Sequence, residues 1–469
     1  MTVRLAFAVL SSACWSAFQH GYNTGVLNAP QAVVSEWLQN DALSDVNKTI
    51  PAPDDPKVTT VLSLAVSVYC VGGMIGGVLT GVIADRFGRK GGLLLNNVLV
   101  LLAVVFECTS KVANSAELLI FGRLLIGMNN GLNAGLAPMY LSEISPVSLR
   151  GSIGTVYQLV ITITILLSQS LGLETVLGTT SGWIWLLAVP LIPALLQCTC
   201  LPFCPESPRY LLLNKGQELH AQRALNWLRG DVAVHAEMEE MHQEAEKNKI
   251  SKKVTLRELL SNRQLRQPLV IALVVMVAQQ LSGINAVIFF STSIFEKVQL
   301  SQRQSQYATL GMGAMNVVMT TVSLFLVEVA GRKTLLLSGF SGMFVCTVAL
   351  FFAIMNAHIV WVSYVCIALV ILVVAMFAVG PGSIPWFLVT ELFNQNARPA
   401  ASSVAVTLNW TANFIVGLSF LPLSLAIGAK VFVIFAILQL IFILFIFFKV
   451  PETKNKTVEE ITAMFRQQL

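Results

Sequence analysis

The sequence contains few charged residues for its length. Lys, Arg, Asp and Glu make up 12% of its 469 residues, whereas soluble globular proteins average about 25%. Apolar residues reach 55%, and the runs at 360–377 and 431–448 contain no charge at all. Such runs approach the roughly 20 residues that cross a bilayer. The scarcity of charge therefore argues against a soluble protein and indicates that lipid surrounds most of the chain.

The sequence also lacks the residue patterns of catalysis and of metal binding. Its five His residues are scattered, and we find neither a Walker-type phosphate loop nor a Ser/His/Asp set. Cys198, Cys200 and Cys204 are closely spaced but lie in an apolar segment without a nearby His, so we interpret them as small apolar side chains. We expect no enzymatic activity, no cofactor, no metal and no nucleic-acid partner; the oligomeric state stays open.

Apolar runs separated by polar breaks predict an all-α membrane protein with twelve transmembrane helices, numbered here as spans 1 to 12. Their expected ranges are 5–27, 58–83, 93–110, 118–140, 153–172, 183–204, 268–291, 306–327, 334–355, 360–389, 401–424 and 430–449. No small-residue cleavage pattern follows the first run, so we interpret it as a span and not as a signal peptide.

A polar stretch divides the spans into two sets of six. Residues 205–267 hold eleven Lys/Arg and nine Asp/Glu, and their apolar spacing predicts short amphipathic helices. The residues that carry this spacing are Ala224, Leu225, Leu228, Leu256, Leu259 and Leu260. We therefore expect a six-helix bundle at 1–204, a cytoplasmic linker at 205–267, a second bundle at 268–449 and a short cytoplasmic tail at 450–469.

The distribution of Lys and Arg predicts the orientation of the chain. With both termini inside, the inner loops and tails hold twenty-three of these residues and the outer loops hold six, while Arg123 lies within span 4. Positive residues favour the cytoplasmic side, so we expect both termini in the cytoplasm. We expect a multi-pass protein of the plasma membrane. Asn47, in the sequence Asn-Lys-Thr, then lies in the first outer loop and is a candidate glycosylation site.

The sequence contains an internal repeat. Three motifs of the first half recur in the same order in the second, with Asp85 matched by Glu328, Glu143 by Glu391, and Glu206 by Glu452, at offsets of 243, 248 and 246 residues. Such a duplication indicates two pseudo-symmetric bundles related by an axis along the membrane normal, with a site between them at the midplane.

The repeated motifs place acidic and basic residues at the inner ends of the spans. We interpret them as a cytoplasmic charge latch, whose pairs hold the inner ends together when the cavity faces outward; the simpler alternative is a solvated rim that only fixes topology. The candidate residues are Arg89, Glu143, Arg150, Glu206, Arg209, Glu328, Arg332, Lys333, Glu391, Arg398 and Glu452.

Polar residues within the spans are mostly carboxamides, and they lie beside expected helix breaks. They occur in 19–24, at 158, in 279–285, at 316, in 380–386, and at 409, 410 and 413. Carboxamides both donate and accept hydrogen bonds, which suits a neutral ligand rich in hydroxyl groups, and tryptophan faces suit a sugar ring. Gly283 would loosen span 7, and Gly380 to Pro385 would break span 10 beside a cavity. The alternative is that each carboxamide only joins neighbouring helices.

Four motifs resemble those of a known family. They are Asp85-Arg86-Phe87-Gly88-Arg89-Lys90, Pro205-Glu206-Ser207-Pro208-Arg209, Gln279-Gln280-Leu281-Ser282-Gly283-Ile284-Asn285 and Pro451-Glu452-Thr453-Lys454. Along nearly its whole length the chain resembles the sugar porters of the major facilitator superfamily, and among them the class I facilitative glucose transporters of animals. The resemblance implies passive hexose transport by alternating access, with a sugar site lined by Gln158, Gln279, Gln280, Asn285, Asn316, Trp386, and Asn409 or Trp410.

Some positions depart from this family pattern. His20 stands where Phe is usual, and Phe289 and Phe290 replace a pair of tyrosines that closes the outer gate. Ala378 stands where glucose carriers usually have Glu; fructose carriers also lack that Glu, but they usually lack Trp386 as well. The resemblance therefore favours glucose, with a fructose or broad-hexose carrier as the alternative.

The residue at position 23 bears on whether a proton gradient drives the transport. Related proton symporters have an Asp there, and the Asn23 of this chain cannot bind and release a proton. Arg123 is present as in the symporters, but Asn23 gives it no carboxylate. We therefore predict uniport. A sugar sensor that binds without carrying is the alternative from another class, and the short segment after Phe448 argues against it.

Overall fold

A computed structural model of the chain describes residues 2–27, 30–43, 56–230, 234–250, 254–288, 295 and 300–467. All regular structure within these residues is helical. The predicted gate residues Phe289 and Phe290 and the predicted glycosylation site Asn47 lie outside the described residues.

The first six spans differ in continuity. Span 1 has a central π-helical turn, spans 2 and 3 form one helical run, spans 4 and 5 are long helices, and span 6 is in three pieces. The helices in chain order are Val3–Val9, Leu10–Cys14, Trp15–Gly25, Gln31–Trp37, Leu38–Ala42, Pro56–Val112, Ala116–Ile144, Val147–Leu149, Arg150–Leu171, Trp183–Ala188, Leu191–Cys200 and Leu201–Phe203.

The rest of the chain begins with short helices and continues with spans 7 to 12. Its helices are Tyr210–Asn214, Glu218–Arg229, His235–Ile250, Leu256–Ser261, Arg263–Leu281, Gln302–Ala330, Arg332–Met355, Val360–Val379, Ile384–Leu392, Arg398–Ile427, Gly428–Lys430, Val431–Lys449 and Val458–Gln467. The short helices after span 6 agree with the spacing of Leu225 and Leu228, which are buried. The helix Leu256–Ser261 likewise agrees with the spacing of its leucines, of which Leu259 is buried while Leu256 and Leu260 are exposed.

Nine helical stretches among the described residues are long and apolar enough to cross a membrane. One of them, Thr60–Val112, contains both span 2 and span 3. Spans 1 and 4 are less apolar because they carry polar side chains such as Gln19, Asn23 and Asn130. Within the described part of the chain, the helices thus account for the twelve predicted spans and for an all-α fold.

Two glycines break the helical runs at equivalent places in the two halves. Gly88, between spans 2 and 3, has φ 78° and ψ −177°, and Gly331, between spans 8 and 9, has φ 86° and ψ 176°. These positions are 243 residues apart, which is the offset of the sequence repeat. Positive φ at this angle is accessible to glycine at little cost. The duplication in sequence is therefore also a duplication of backbone conformation.

The break at Gly88 makes a prediction about stability. In Gly88→Ala the new Cβ would lie 2.6 Å from Glu206 Oε2 and 2.8 Å from Tyr210 Cε1, in addition to the strained φ. We expect a loss of about 2 kcal/mol or more in the free energy of unfolding. Gly91→Ala is the matched control, because its Cβ would meet only Phe87 Cβ, at 3.6 Å. Thermal unfolding of the purified variants in detergent measures both, and equal melting temperatures would contradict the prediction.

The two halves meet along two pairs of spans. Spans 2 and 11 approach closely where Ser403 Oγ donates to Gly77 O at 2.6 Å. Spans 5 and 8 are joined by Ser152, whose Oγ donates to Leu324 O at 2.9 Å and whose backbone N–H donates to Glu328 Oε1 at 3.0 Å. The seam between the halves therefore runs between these helices, and the site described below lies along it.

Candidate functional site

The breaks in spans 7 and 10 meet in the second half. The first helix of span 7 ends at Leu281, and Gly283 has φ 91°. Span 10 stops at Val379 and resumes at Ile384. Gln279 Nε2 donates to Pro381 O at 3.1 Å and to Gly382 O at 2.9 Å. Carbonyl groups freed by a helix break need such donors inside a membrane, so the Gln279 carboxamide stabilises the break predicted for span 10.

Carboxamides of spans 7 and 11 form one hydrogen-bonded network. Asn409 Nδ2 donates to Gln279 Oε1 at 2.9 Å, and Gln280 Nε2 donates to Asn409 Oδ1 at 3.2 Å. Asn285 donates to Gln280 Oε1 and, at 3.1 Å, to Asn413 Oδ1. The loosening of span 7 at Gly283 thus brings its carboxamides together, as the sequence predicted, and adds Asn413 to the set.

Aromatic side chains from both halves lie beside the carboxamides. Trp386 Nε1 in span 10 donates to Gln158 Oε1 in span 5 at 3.2 Å. The His20 ring lies 5.4 Å from the ring centroid of Trp410 and 5.7 Å from that of Trp386. Tyr157 contacts both His20 and Trp386. An aromatic cluster with members from both halves therefore lines the seam beside the carboxamides.

Two polar atoms at the site have no protein partner in the described part of the chain. They are Asn316 Oδ1 in span 8 and Trp410 Nε1 in span 11, and both are buried. Among the predicted carboxamides, Asn316 and Gln158 take no part in the network of spans 7 and 11; Gln158 accepts from Trp386 instead. A buried polar atom without a partner costs free energy, so both atoms are available to a ligand with hydroxyl groups.

Sequence reasoning missed several members of this site. His20 was named as a polar residue of span 1 and as a departure from the family pattern, but not as a sugar-site residue, and Tyr157 and Tyr69 were not considered. Tyr69 packs edge-on against Trp410 at 5.4 Å and accepts a hydrogen bond from Asn130 Nδ2 at 2.8 Å. Aromatic residues occur throughout apolar segments, so a tyrosine at position 69 or 157 does not by itself indicate that it lies at the site.

A second group of polar residues closes the end of the seam at which the repeated motifs lie. The buried Glu143 carboxylate accepts from Arg89 Nε at 2.8 Å within its own half and from Arg398 Nη1 at 3.1 Å across the seam. The buried Glu391 carboxylate does the same in the other half. It accepts from Arg332 Nη2 and, across the seam, from Arg150 Nε, both at 3.0 Å.

These two carboxylates therefore form a pseudo-symmetric pair. Each accepts one guanidinium from its own half and one from the other. Buried charges are costly unless they are paired, so opening the halves at this end would leave two carboxylates and two guanidinium groups with fewer partners. The solvated-rim alternative fits poorly with this burial.

Glu206 and Glu452 play a different part from the one expected. Each accepts hydrogen bonds from backbone N–H groups at the start of a span and has no side-chain ion pair within 4.0 Å in the described residues. Glu206 Oε1 accepts from Lys90 N at 3.0 Å, and Glu452 accepts from Arg332 N at 2.9 Å and Lys333 N at 3.1 Å. Burial raises the pKa of Glu206, while the Lys90 N–H group acts in the opposite direction. Both residues cap helices within one half.

The remaining predicted latch residues are spread around this end. Glu328 accepts from the Ser152 backbone across the seam and lies 3.7 Å from Arg332 Nη1. Arg209 pairs with Glu244 and Glu240 of the helix His235–Ile250. The Lys333 ammonium group lies 5.7 Å from the ring centroid of Phe447. Only part of the predicted set is therefore a link between the halves.

Arg123 has partners that the sequence did not suggest. Its guanidinium donates to the backbone oxygen of Asn23 at 3.3 Å and lies 4.6 Å from the ring centroid of Tyr69. Glu107, a buried carboxyl of span 3, is close enough to Arg123 for the two charges to interact. A carboxyl group within an apolar span was the signal in the sequence that could have indicated this partner.

The sequence matches a family model and curated relatives over nearly the whole chain. Residues 9–465 match the family model described as sugar (and other) transporter. The chain is 46% identical to facilitated glucose transporter member 1 of solute carrier family 2 from Gallus gallus, over all of this chain and 94% of the relative. It is 44% identical to member 3 from Homo sapiens, over all of this chain and 93% of that relative.

Solved structures share the fold. The proton:xylose symporter XylE bound to 6-bromo-6-deoxy-D-glucose superimposes with a TM-score of 0.85 at 24% identity, covering 98% of this chain and 99% of that one. The inward-open conformation of the xylose transporter XylE from E. coli gives a TM-score of 0.70 at 24% identity, with 98% and 99% coverage. At this identity the likeness concerns the fold, two six-helix bundles of the major facilitator type.

Proposed function

The chain belongs to the sugar transporter family, and we propose that it carries a hexose, D-glucose by preference, passively across the membrane by alternating access. The observation that carries the proposal is the buried cluster of carboxamides and tryptophans at the seam between the halves. Its hydrogen-bonding groups are neutral, which suits a sugar and neither an anion nor a cation. The near-half identity to facilitated glucose transporters over the whole chain supports the same substrate class.

We propose that eight residues bind the sugar. Two of them, Trp386 and Trp410, offer ring faces, and the others offer carboxamides. The proposed site residues are Gln158, Gln279, Gln280, Asn285, Asn316, Trp386, Asn409 and Trp410. The unpartnered Asn316 Oδ1 and Trp410 Nε1 support their inclusion.

We propose that transport consists of rocking of bundle 1–204 against bundle 268–449. The ion pairs of Glu143 and Glu391 hold the cytoplasmic end closed and separate when the site opens inward. The linker 205–267 and the tail 450–469 are assigned to the cytoplasm together with both termini, and the protein is assigned to the plasma membrane. The excess of Lys and Arg on that side supports this orientation.

The proposal predicts uniport, which a proton gradient tests. In proteoliposomes, labelled D-glucose should reach equal concentrations inside and outside with or without a pH gradient. Glu107 is a buried carboxyl of span 3 close to Arg123, so it is the group to test as a proton carrier. We therefore expect Glu107→Gln to reach the same plateau as the wild type. Accumulation that follows the proton gradient and disappears in Glu107→Gln would contradict uniport.

A fructose or broad-hexose carrier is the second candidate, and Ala378 favours it. This residue of span 10 is buried near the break that Gln279 stabilises. Competition of labelled D-glucose uptake by unlabelled fructose separates the two. Weak competition supports a glucose carrier, and equal competition supports the broader one.

A further inference from the structure

His20 occupies a central place at the seam, although it lies in the first half. It belongs to the helix Trp15–Gly25 of span 1 and is 7% exposed. Its ring is nearly parallel to that of Trp410, at an angle of 28°, and nearly perpendicular to that of Trp386, at 80°. A ligand held between these tryptophans would therefore lie next to the imidazole.

Tyr157 fixes the orientation of the His20 ring. Its hydroxyl oxygen lies 2.8 Å from His20 Nδ1, and Tyr157 is completely buried. If the hydroxyl donates to Nδ1, the neutral ring carries its hydrogen on Nε2; if Nδ1 donates, Nε2 is an acceptor. In both cases Nε2 can bond to a hydroxyl group, and it has no hydrogen-bond partner among the residues that the structure describes.

Other polar groups of the aromatic cluster are already occupied. Trp386 Nε1 donates to Gln158, and the Tyr69 hydroxyl accepts from Asn130 and lies 3.2 Å from Thr24 Oγ1. The open groups are His20 Nε2 and the indole N–H of Trp410, which is buried without a described partner. Two open polar groups on stacked rings are arranged for a ligand that presents hydroxyl groups between them.

We propose that His20 is a specificity-determining residue, whose Nε2 makes a hydrogen bond to one hydroxyl group of the hexose, and that Tyr157 positions the ring for this bond. The proposal rests on the proposed hexose transport. A site built to bind a hydroxyl group rejects the analogue that lacks it, because a buried polar atom is then left unpaired. The transporter should thus discriminate by about tenfold or more against one monodeoxy sugar because of His20.

Transport kinetics of the five monodeoxy-D-glucoses, lacking the hydroxyl at carbon 1, 2, 3, 4 or 6, test the proposal in proteoliposomes. His20→Phe keeps an aromatic ring and removes both nitrogens. We expect it to lower kcat/KM for D-glucose by about tenfold while leaving one deoxy sugar unaffected, so that discrimination at a single carbon disappears. Tyr157→Phe should weaken discrimination at the same carbon, and the double variant should be no worse than His20→Phe.

Tyr22→Phe serves as the matched control. Its hydroxyl donates to Leu186 O at 2.7 Å, inside the first half. This variant should keep the wild-type ratios among the six sugars. If His20→Phe and Tyr157→Phe also keep these ratios, His20 is only a packed ring and the proposal is overturned, whereas hexose transport stands. Absence of any hexose transport by the wild type would overturn both.

Discussion

Glu391→Gln is expected to open the cytoplasmic side. The substitution keeps the volume of the side chain and removes the charge that Arg150 and Arg332 share, both at 3.0 Å. Losing one partner of a buried ion pair costs about 3–5 kcal/mol. Because the bond to Arg150 crosses the seam between the halves, much of that cost should fall on the state that is closed at this end. A shift of about 3 kcal/mol changes the population ratio by roughly 100-fold.

Cysteine labelling measures this shift. Thr155 is completely buried in the closed state and lies on span 5 between Gly151 and Gln158. In a background without the native cysteines, Thr155→Cys should react with a cytoplasmic thiol reagent about 100-fold faster when Glu391→Gln is added.

A second substitution of the same type serves as the control. Glu240→Gln removes a 37% exposed carboxylate that lies 4.0 Å from Arg209. Exposed ion pairs contribute only about 0–1 kcal/mol, so the labelling rate should change little. Equal labelling rates in Glu391→Gln and the parent would contradict the latch. They would support the alternative that the charges form a solvated rim that only fixes topology.

Trp386→Ala is expected to have the largest effect on sugar transport. The indole joins the halves through its hydrogen bond to Gln158 at 3.2 Å and its contacts with His20 and Tyr157. In the proposed site it also covers one face of the sugar ring. Removal of such a buried aromatic anchor costs about 2 kcal/mol or more, so kcat/KM for D-glucose should fall by roughly 30-fold or more.

Trp386→Phe separates the ring from its N–H group. It keeps an aromatic face and loses the hydrogen bond to Gln158, whose net contribution is about 1 kcal/mol. We expect a loss of several-fold in kcat/KM, with an unchanged melting temperature as evidence that the variant folds. If Trp386→Ala transports glucose as well as the wild type does, the sugar does not contact this ring.

The sequence predicted those features of the fold that follow from local rules. Glycine and proline positions predicted the breaks in spans 7 and 10, and the structure has them at Gly283 and after Val379. The repeat of Asp85 at Glu328 predicted two equivalent halves, and Gly88 and Gly331 adopt matching conformations. These features depend on residues that are close together in the chain, so they can be predicted from a single sequence.

Contacts between distant residues were much harder to predict. Opposite charges at helix ends suggested pairs, but not that Glu143 and Glu391 would each bond across the seam, nor that Glu206 would cap a helix. The contact of His20 with Tyr157 joins residues 137 positions apart. Such pairing depends on how the bundles are placed, and residue type carries little information about it inside an apolar span.

Counterflow tests the proposed alternating carrier most directly. Proteoliposomes loaded with unlabelled D-glucose are diluted into a trace of labelled D-glucose, with no pH gradient. A single site that alternates between the two sides returns labelled sugar slowly against the unlabelled excess, so internal label should rise transiently above its equilibrium level, and labelled L-glucose should not enter. Label that only equilibrates, or that fails to enter beyond protein-free liposomes, would contradict an alternating hexose carrier.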